Sequence, residues 1–239
     1  MASVTFPASQ GELRGYLERP AGDGPWPAVV VIHDVLGVNA DMQRQCGWLA
    51  QAGYLALAPD LYSRGRKLTC LRSIMADLRA GRGRNFEDID AARDWLIADT
   101  ASCTGRVGVI GYCMGGGFSL LLAPNGRYDV SSVNYGRVPD DAERVLAGAC
   151  PIVAGYGARD RGLKGAAAKL ESALGSLNVP CDVKEYPDAG HGFLNHFEGG
   201  VGVLVGVMGR IVGVGYHEPS AADARRRIIE FFDQRLKEG

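Results

Sequence analysis

The chain has 239 residues, 46% of them hydrophobic and 22% charged, which fits one domain over 1–239 and leaves little chain for a second. Its 26 basic and 27 acidic side chains give a formal net charge of -1, so no excess field is available to hold nucleic acid or an anionic membrane. We therefore expect a small-molecule partner, bound by a monomer or weak homodimer.

The first half of the chain shows strands and helices in alternation. The run AVVVIH at 28–33 is continuously apolar and β-branched, as in a strand buried on both faces. A helix over 39–52 begins with Asn and Asp, ends at Gly53, and leads into a strand over 54–58. A poorly patterned stretch rich in arginine separates that strand from a predicted helix over 86–98.

The second half continues the alternation and ends on an amphipathic helix over 220–236, with Ser220 as its N-cap. The other predicted elements are strands over 106–111, 130–134, 152–156 and 181–186 and helices over 114–122 and 163–174. This order predicts an α/β fold, with a mostly parallel central sheet and helices on both faces.

The most specific local pattern is V-I-G-Y-C-M-G-G-G at 109–117, which is G-x-C-x-G at a predicted strand-to-helix junction. It has the form of a nucleophile elbow with cysteine in place of serine. Gly111 and Gly115 suit such a turn, because side chains there would collide with the crossing strand or helix. We predict that Cys113 is a nucleophile whose thiolate the helix dipole favours. The alternative is a buried structural cysteine.

An acid and then a histidine should follow the nucleophile along an α/β-hydrolase chain, and both are present. Asp160 comes four residues after the strand over 152–156, and His191 lies in DAGHGF after the strand over 181–186. We predict that His191 accepts the Cys113 proton and that Asp160 orients the imidazole. The alternatives are that Asp188 is the acid, or that Asp160 only caps the next helix.

An oxyanion hole needs two backbone N–H groups, which we assign to Met114, after the nucleophile, and Val35, after the first predicted strand. Asp34 would then lie beside the thiol, where its carboxylate could interact with Cys113. The alternative is that Asp34 only caps the turn into the following helix.

At these motifs the sequence resembles the dienelactone hydrolase (carboxymethylenebutenolidase) family of the α/β-hydrolase superfamily. The resemblance covers nearly the whole chain and rests on five pieces: VVVIHDVLGVN, LAPDLYSRG, VGVIGYCMGGG, Asp160 and DAGHGF. It implies hydrolysis of a lactone or activated ester through a thiol ester on Cys113. It also implies that Asp34 replaces a glutamate that helps to activate the thiol.

The resemblance further implies a substrate carboxylate held by two arginines. Arg64 falls on the first position, with a solvated surface arginine as the alternative, and Asn195 stands at the second. Losing one guanidinium removes a charge-assisted contact of roughly 1.5 to 3 kcal/mol, so we expect a weaker preference for dienelactone itself. Tyr135 and Phe193 are predicted pocket walls, and the segment 198–218 a flap or loop insertion.

The remaining features predict a cytoplasmic enzyme without a cofactor. The beginning of the sequence has no basic stretch followed by an apolar run, so we expect neither a signal peptide nor an anchor. Six cysteines without a CxxC pair are predicted to be reduced, and four histidines without ligand spacing predict no metal site. The competing functions are a general carboxylesterase or thioesterase and a catalytically silent binding protein on the same fold.

Overall fold

The computed structural model describes residues 2–99, 101–196 and 214–238. Its strands form one eight-stranded sheet in the order β1-β2-β4-β3-β5-β6-β7-β8. The strands are β1 (Ala2–Ala8), β2 (Gly11–Glu18), β3 (Trp26–Ile32), β4 (Leu55–Pro59), β5 (Cys103–Tyr112), β6 (Val130–Asn134), β7 (Ile152–Gly157) and β8 (Cys181–Tyr186). In the sheet, every neighbouring pair of strands in the series β4-β3-β5-β6-β7-β8 is parallel, which confirms the predicted mostly parallel sheet.

The described helices follow the predicted order with two additions. They are α1 (Ala40–Gln51), α2 (Lys67–Ala80), α3 (Arg84–Ala98), α4 (Met114–Leu122), α5 (Ala142–Val145), α6 (Ala166–Ser176) and α7 (Glu218–Leu236). The additions are the short α5 and α2, which lies in the arginine-rich stretch for which the sequence predicts no element. Only Cys70 and Ile74 of α2 are buried, so its apolar face is too narrow to give a clear pattern.

The N-terminal hairpin is the second departure from the sequence prediction. β1 pairs antiparallel with β2, and β2 pairs antiparallel with β4, so the hairpin extends the parallel sheet at one edge. Its buried positions, such as Leu13 and Leu17, alternate with exposed ones along β2. Short alternating runs of this kind are weaker signals than the continuous apolar run of β3.

Each central strand contributes side chains to two hydrophobic cores, one on each face of the sheet, because successive side chains point to opposite faces. In β3, Val29 and Val31 join one buried cluster with α1 and α7, whereas Val30 and Ile32 join another with α2, α3 and α4. Helices therefore cover both faces, as predicted. The carboxyl ends of the parallel strands meet at one edge, where such folds place their ligands.

The closing helix begins earlier than predicted. α7 starts at Glu218 after the N-cap residue His217, and Pro219 occupies its first turn, where a missing N–H costs nothing. Ser220 therefore lies inside the helix, and its Oγ bonds His217 Nδ1 at 2.9 Å. Among the described residues, no helix combines the length and apolar character needed to cross a membrane.

Candidate active site

Cys113 lies at a strained turn between β5 and α4. Its φ of 56° and ψ of -112° place a non-glycine residue in a region that L-residues rarely adopt. The Cys113 N–H donates to the Asn134 carbonyl at 3.0 Å, so the turn is held by β6. Strain at such a position persists only where the surroundings determine it, which makes this half-buried cysteine a candidate functional residue.

The turn requires glycine at two positions because the backbone crosses itself. A Cβ on Gly111 would lie 1.9 Å from the Gly115 carbonyl oxygen, and a Cβ on Gly115 would lie 2.2 Å from the Ile32 carbonyl oxygen. No side chain can be accommodated at these distances without moving β3 or α4.

Gly111→Ala should therefore destabilise the fold by at least about 3 kcal/mol, the upper range for overpacking a rigid site. Gly47→Ala is a matched control in α1, where an added Cβ meets nothing within 4 Å. That change should stabilise the protein by about 0.5–1 kcal/mol, because alanine loses less backbone entropy in a helix. Urea unfolding of both variants measures the difference, and equal midpoints would contradict the close-approach argument.

Asp160 and His191 meet at the ends of β7 and β8. His191 Nδ1 lies 2.6 Å from Asp160 Oδ2, and Asp160 Oδ1 accepts from the Gly162 N–H at 2.9 Å. Asp160 therefore both caps the short 3-10 helix Arg161–Leu163 and bonds the histidine, so the two interpretations of this residue are compatible. Asp188 instead forms an exposed ion pair with Arg159 at 2.7 Å.

His191 has a strongly perturbed pKa. Burial alone lowers it, but hydrogen bonds to Asp160 and to Cys113 outweigh that effect and raise the pKa to about 10. At neutral pH the imidazole is therefore protonated, and this cation lies between Asp160 and Cys113. This arrangement activates a cysteine nucleophile, since the thiolate is the reactive form.

Asp34 is the second residue after β3 and is only 4% exposed. Its Oδ1 accepts from the Leu36 N–H at 2.7 Å, so it caps the turn after the strand. Burial raises the pKa of this carboxyl to about 6, against the Leu36 hydrogen bond and the nearby His191 and Lys67, which lower it. An activating role toward Cys113 stays a prediction.

The turn that carries Val35 is held by two side chains that the sequence did not single out. The Tyr62 hydroxyl donates to the Val35 carbonyl at 3.0 Å, and Lys67 Nζ donates to the Leu36 carbonyl at 2.8 Å. The N–H groups of Val35 and Met114 donate no hydrogen bond to another described residue. Both remain available for the predicted oxyanion hole.

Arg64 is held within the protein by a carboxylate and two backbone carbonyls. Its guanidinium pairs with Asp88 at 3.0 Å and donates to the Gly11 and Glu12 carbonyls at 3.2 and 3.3 Å. These contacts join the N-terminal hairpin to α3. Within the described part of the chain, none of the recorded contacts of this arginine involves Cys113, Asp160 or His191.

Tyr135, Phe193 and Asn195 come together beside His191, and all three are at most 1% exposed. The Tyr135 ring meets the His191 and Phe193 rings edge-on, with centroids 5.2 and 5.4 Å apart. The Tyr135 hydroxyl donates to Asn195 Oδ1, and Asn195 Nδ2 donates to Asp41 Oδ2 at 2.5 Å. Asp41, in the first turn of α1, is a buried carboxylate that the sequence pattern did not reveal.

The predicted flap lies largely outside the described residues, which resume at Val214. There the Gly215 N–H donates to the His191 carbonyl at 2.9 Å, and the His217 N–H donates to the Phe193 carbonyl at 3.1 Å. Across residues 2–99, 101–196 and 214–238, no three His, Cys, Asp or Glu side chains are grouped to hold a metal ion.

Comparison with known proteins places the chain among hydrolases over nearly its whole length. The model of the dienelactone hydrolase family matches residues 13–236. A carboxymethylenebutenolidase of Pseudomonas putida is 27% identical, over 95% of this chain and 94% of the relative. A dienelactone hydrolase-like promiscuous phosphotriesterase from metagenomic libraries superposes with a TM-score of 0.79 at 21% identity, covering 98% of both chains. A dienelactone hydrolase from Anabaena variabilis superposes with a TM-score of 0.72 at 20% identity, covering 99% of this chain and 98% of that one.

Proposed function

Because the chain belongs to the dienelactone hydrolase family of the α/β-hydrolase superfamily, as its motifs predicted, we propose that it cleaves a lactone or activated carboxylic ester through Cys113, His191 and Asp160. The observation that carries this proposal is the 2.6 Å hydrogen bond between His191 and Asp160 at the carboxyl edge of the sheet, with Cys113 near enough to raise the pKa of the imidazole. The strained elbow under Cys113 supports it.

In the first half of the reaction the Cys113 thiolate attacks the carbonyl carbon, and the carbonyl electron pair moves onto oxygen. The N–H groups of Met114 and Val35 stabilise that oxyanion. When the carbon–oxygen bond breaks, the leaving alkoxide or enolate takes the proton from His191. Cys113 then carries the acyl group as a thiol ester, and the imidazole is neutral.

In the second half His191 removes a proton from water, and the hydroxide attacks the thiol ester. Collapse of the second oxyanion breaks the carbon–sulfur bond, releases the carboxylic acid and restores the thiolate and the imidazolium. Asp160 accepts a hydrogen bond from His191 Nδ1 throughout and so fixes the tautomer in which Nε2 faces the substrate. No cofactor enters these steps.

The surroundings of Arg64 and Asn195 favour an ester without a carboxylate. The Arg64 guanidinium is bonded to Asp88 and two backbone carbonyls. The amide oxygen and the amide nitrogen of Asn195 are both hydrogen-bonded to protein side chains. The test is hydrolysis of p-nitrophenyl acetate and of a dienelactone side by side. A kcat/KM above about 10⁴ M⁻¹s⁻¹ on the lactone would support the family substrate, whereas reaction of the activated ester alone would support a general carboxylesterase.

Arg64→Ala should affect stability more than catalysis. It leaves the buried Asp88 without its closest cation, so we expect a loss of about 3 kcal/mol in the free energy of unfolding. The kcat/KM for p-nitrophenyl acetate should stay within about twofold, because the guanidinium makes no contact with the triad. Arg66→Ala, at an exposed neighbouring position, is the control for stability. A large rise in KM with unchanged stability would instead assign Arg64 to substrate binding.

A catalytically silent protein on the same fold would differ in thiol reactivity. In the proposed enzyme, a thiol reagent should label Cys113 far faster than the other five cysteines, because only Cys113 faces an imidazolium. Uniform slow labelling of all six would favour the silent binding protein.

A further inference from the structure

Asn195 belongs to a buried hydrogen-bonded chain that runs from α1 to Tyr135, the tyrosine whose ring lies against His191. Asp41 accepts from Asn195 Nδ2 through one carboxylate oxygen and from the His196 N–H, at 2.9 Å, through the other. Asn195 in turn accepts from the Tyr135 hydroxyl. Burial raises the pKa of Tyr135 well above its ordinary value, so this hydroxyl stays protonated and acts as the donor.

A second polar side chain of α1 holds the same loop. Gln45, one helical turn after Asp41, donates through Nε2 to the Leu194 carbonyl at 2.8 Å and accepts from the Tyr112 hydroxyl at 3.1 Å. Both side chains are nearly inaccessible to solvent. The loop that follows His191 is therefore attached to α1 at consecutive residues, which fixes Asn195 relative to the helix.

Tyr135 connects this chain to the imidazole. It has a φ of 42°, an unfavourable conformation for a bulky residue, and its N–H donates to the Gly155 carbonyl at 2.8 Å. It also follows Asn134, whose carbonyl holds the Cys113 N–H. The Asp160 hydrogen bond fixes one edge of the His191 ring but permits rotation about that bond. The Tyr135 ring edge, 5.2 Å away between centroids, lies against the imidazole and restricts that rotation.

We propose that Asn195, anchored by Asp41, is a positioning residue that holds Tyr135 against His191 and so aligns the imidazole with the Cys113 sulfur. This assigns Asn195 a role behind the histidine in place of contact with substrate. The inference rests on the proposed function, since it presupposes proton exchange between Cys113 and His191. Loss of this positioning should slow the reaction of Cys113 about threefold to tenfold, because the imidazole would be slightly misaligned.

The test uses alkylation of Cys113 by iodoacetamide, whose rate depends on the Cys113–His191 pair but on no ester hydrolysis. Tyr135→Phe removes the hydroxyl and keeps the ring, and we expect Cys113 to be alkylated about threefold to tenfold more slowly across the pH profile. Tyr186→Phe is the matched control. Its hydroxyl also donates to a side-chain oxygen, that of Asp223 at 3.0 Å, and its ring packs on the same Phe193, but among the described residues its ring does not contact His191.

Asn195→Ala and the double variant with Tyr135→Phe complete the experiment. If Asn195 and Tyr135 act on His191 through the same hydrogen-bonded chain, Cys113 in the double variant should be alkylated no more slowly than in the slower single variant. Should Tyr135→Phe fail to fold, Asn195→Ala is compared with wild type and Tyr186→Phe, because it leaves every tyrosine in place. Alkylation at the wild-type rate in a folded variant, or effects that multiply in the double variant, would overturn the inference. If wild-type Cys113 reacts no faster than the other cysteines, the proposed function itself fails.

Discussion

Replacing Cys113 with alanine is expected to lower kcat/KM for p-nitrophenyl acetate by at least about 10³-fold, to the level of residual binding and oxyanion stabilisation. The reason is that alanine has no side-chain nucleophile to form the proposed acyl intermediate. His191 would remain bonded to Asp160 but would have lost its thiolate partner. The measurement is a steady-state rate compared with the uncatalysed reaction in the same buffer.

Cys181→Ala is the matched control for this loss. Cys181 is also partly exposed, but it lies in β8 rather than at the elbow. Its replacement should leave kcat/KM within about twofold, as expected for a site away from the chemistry. An equal loss in both variants would indicate that activity depends on general integrity of the fold and would count against a nucleophilic role for Cys113.

Asp160→Asn is expected to lower kcat by about 10³- to 10⁴-fold with little change in KM. The amide presents either an N–H or a neutral oxygen to His191 Nδ1, and it no longer stabilises the imidazolium. Because the Asp160 hydrogen bond helps to raise the pKa of His191, that pKa should fall in the variant. The measured quantities are kcat and the histidine titration followed by NMR.

Asp188→Asn separates the triad carboxylate from its neighbour in sequence. Asp188 is exposed and pairs only with Arg159 among the described residues, so its replacement should change kcat by less than about twofold. If Asp188→Asn produced the larger loss, the assignment of the acid would move to that residue.

The central elements of the fold and the meeting of Asp160 with His191 could be predicted from sequence because their signals are local. β3 is continuously apolar, and the elbow needs Gly111 and Gly115 within two residues of Cys113. Asp160 and His191 each follow a recognisable strand, and parallel strands bring their carboxyl ends to one edge. Chain order and strand position were therefore enough to select them.

The supporting contacts could not be predicted because their partners are far apart in the chain. Asp41 and Asn195 are 154 positions apart, and nothing near either residue indicates the other. Arg64 illustrates the same limit, since its partner Asp88 lies on a helix 24 positions later. A pattern identifies a charged residue, but only the packed structure decides whether its charge faces a substrate or another side chain.

The central claim is the covalent thiol ester, and its most direct test is rapid mixing with excess p-nitrophenyl acetate, an acid quench within milliseconds, and peptide mapping by mass spectrometry. The account predicts a burst of p-nitrophenolate that approaches the enzyme concentration, and one acetyl group on the Cys113 peptide that hydroxylamine removes. Rapid turnover with no acyl group on Cys113, or with the acyl group on another residue, would contradict it.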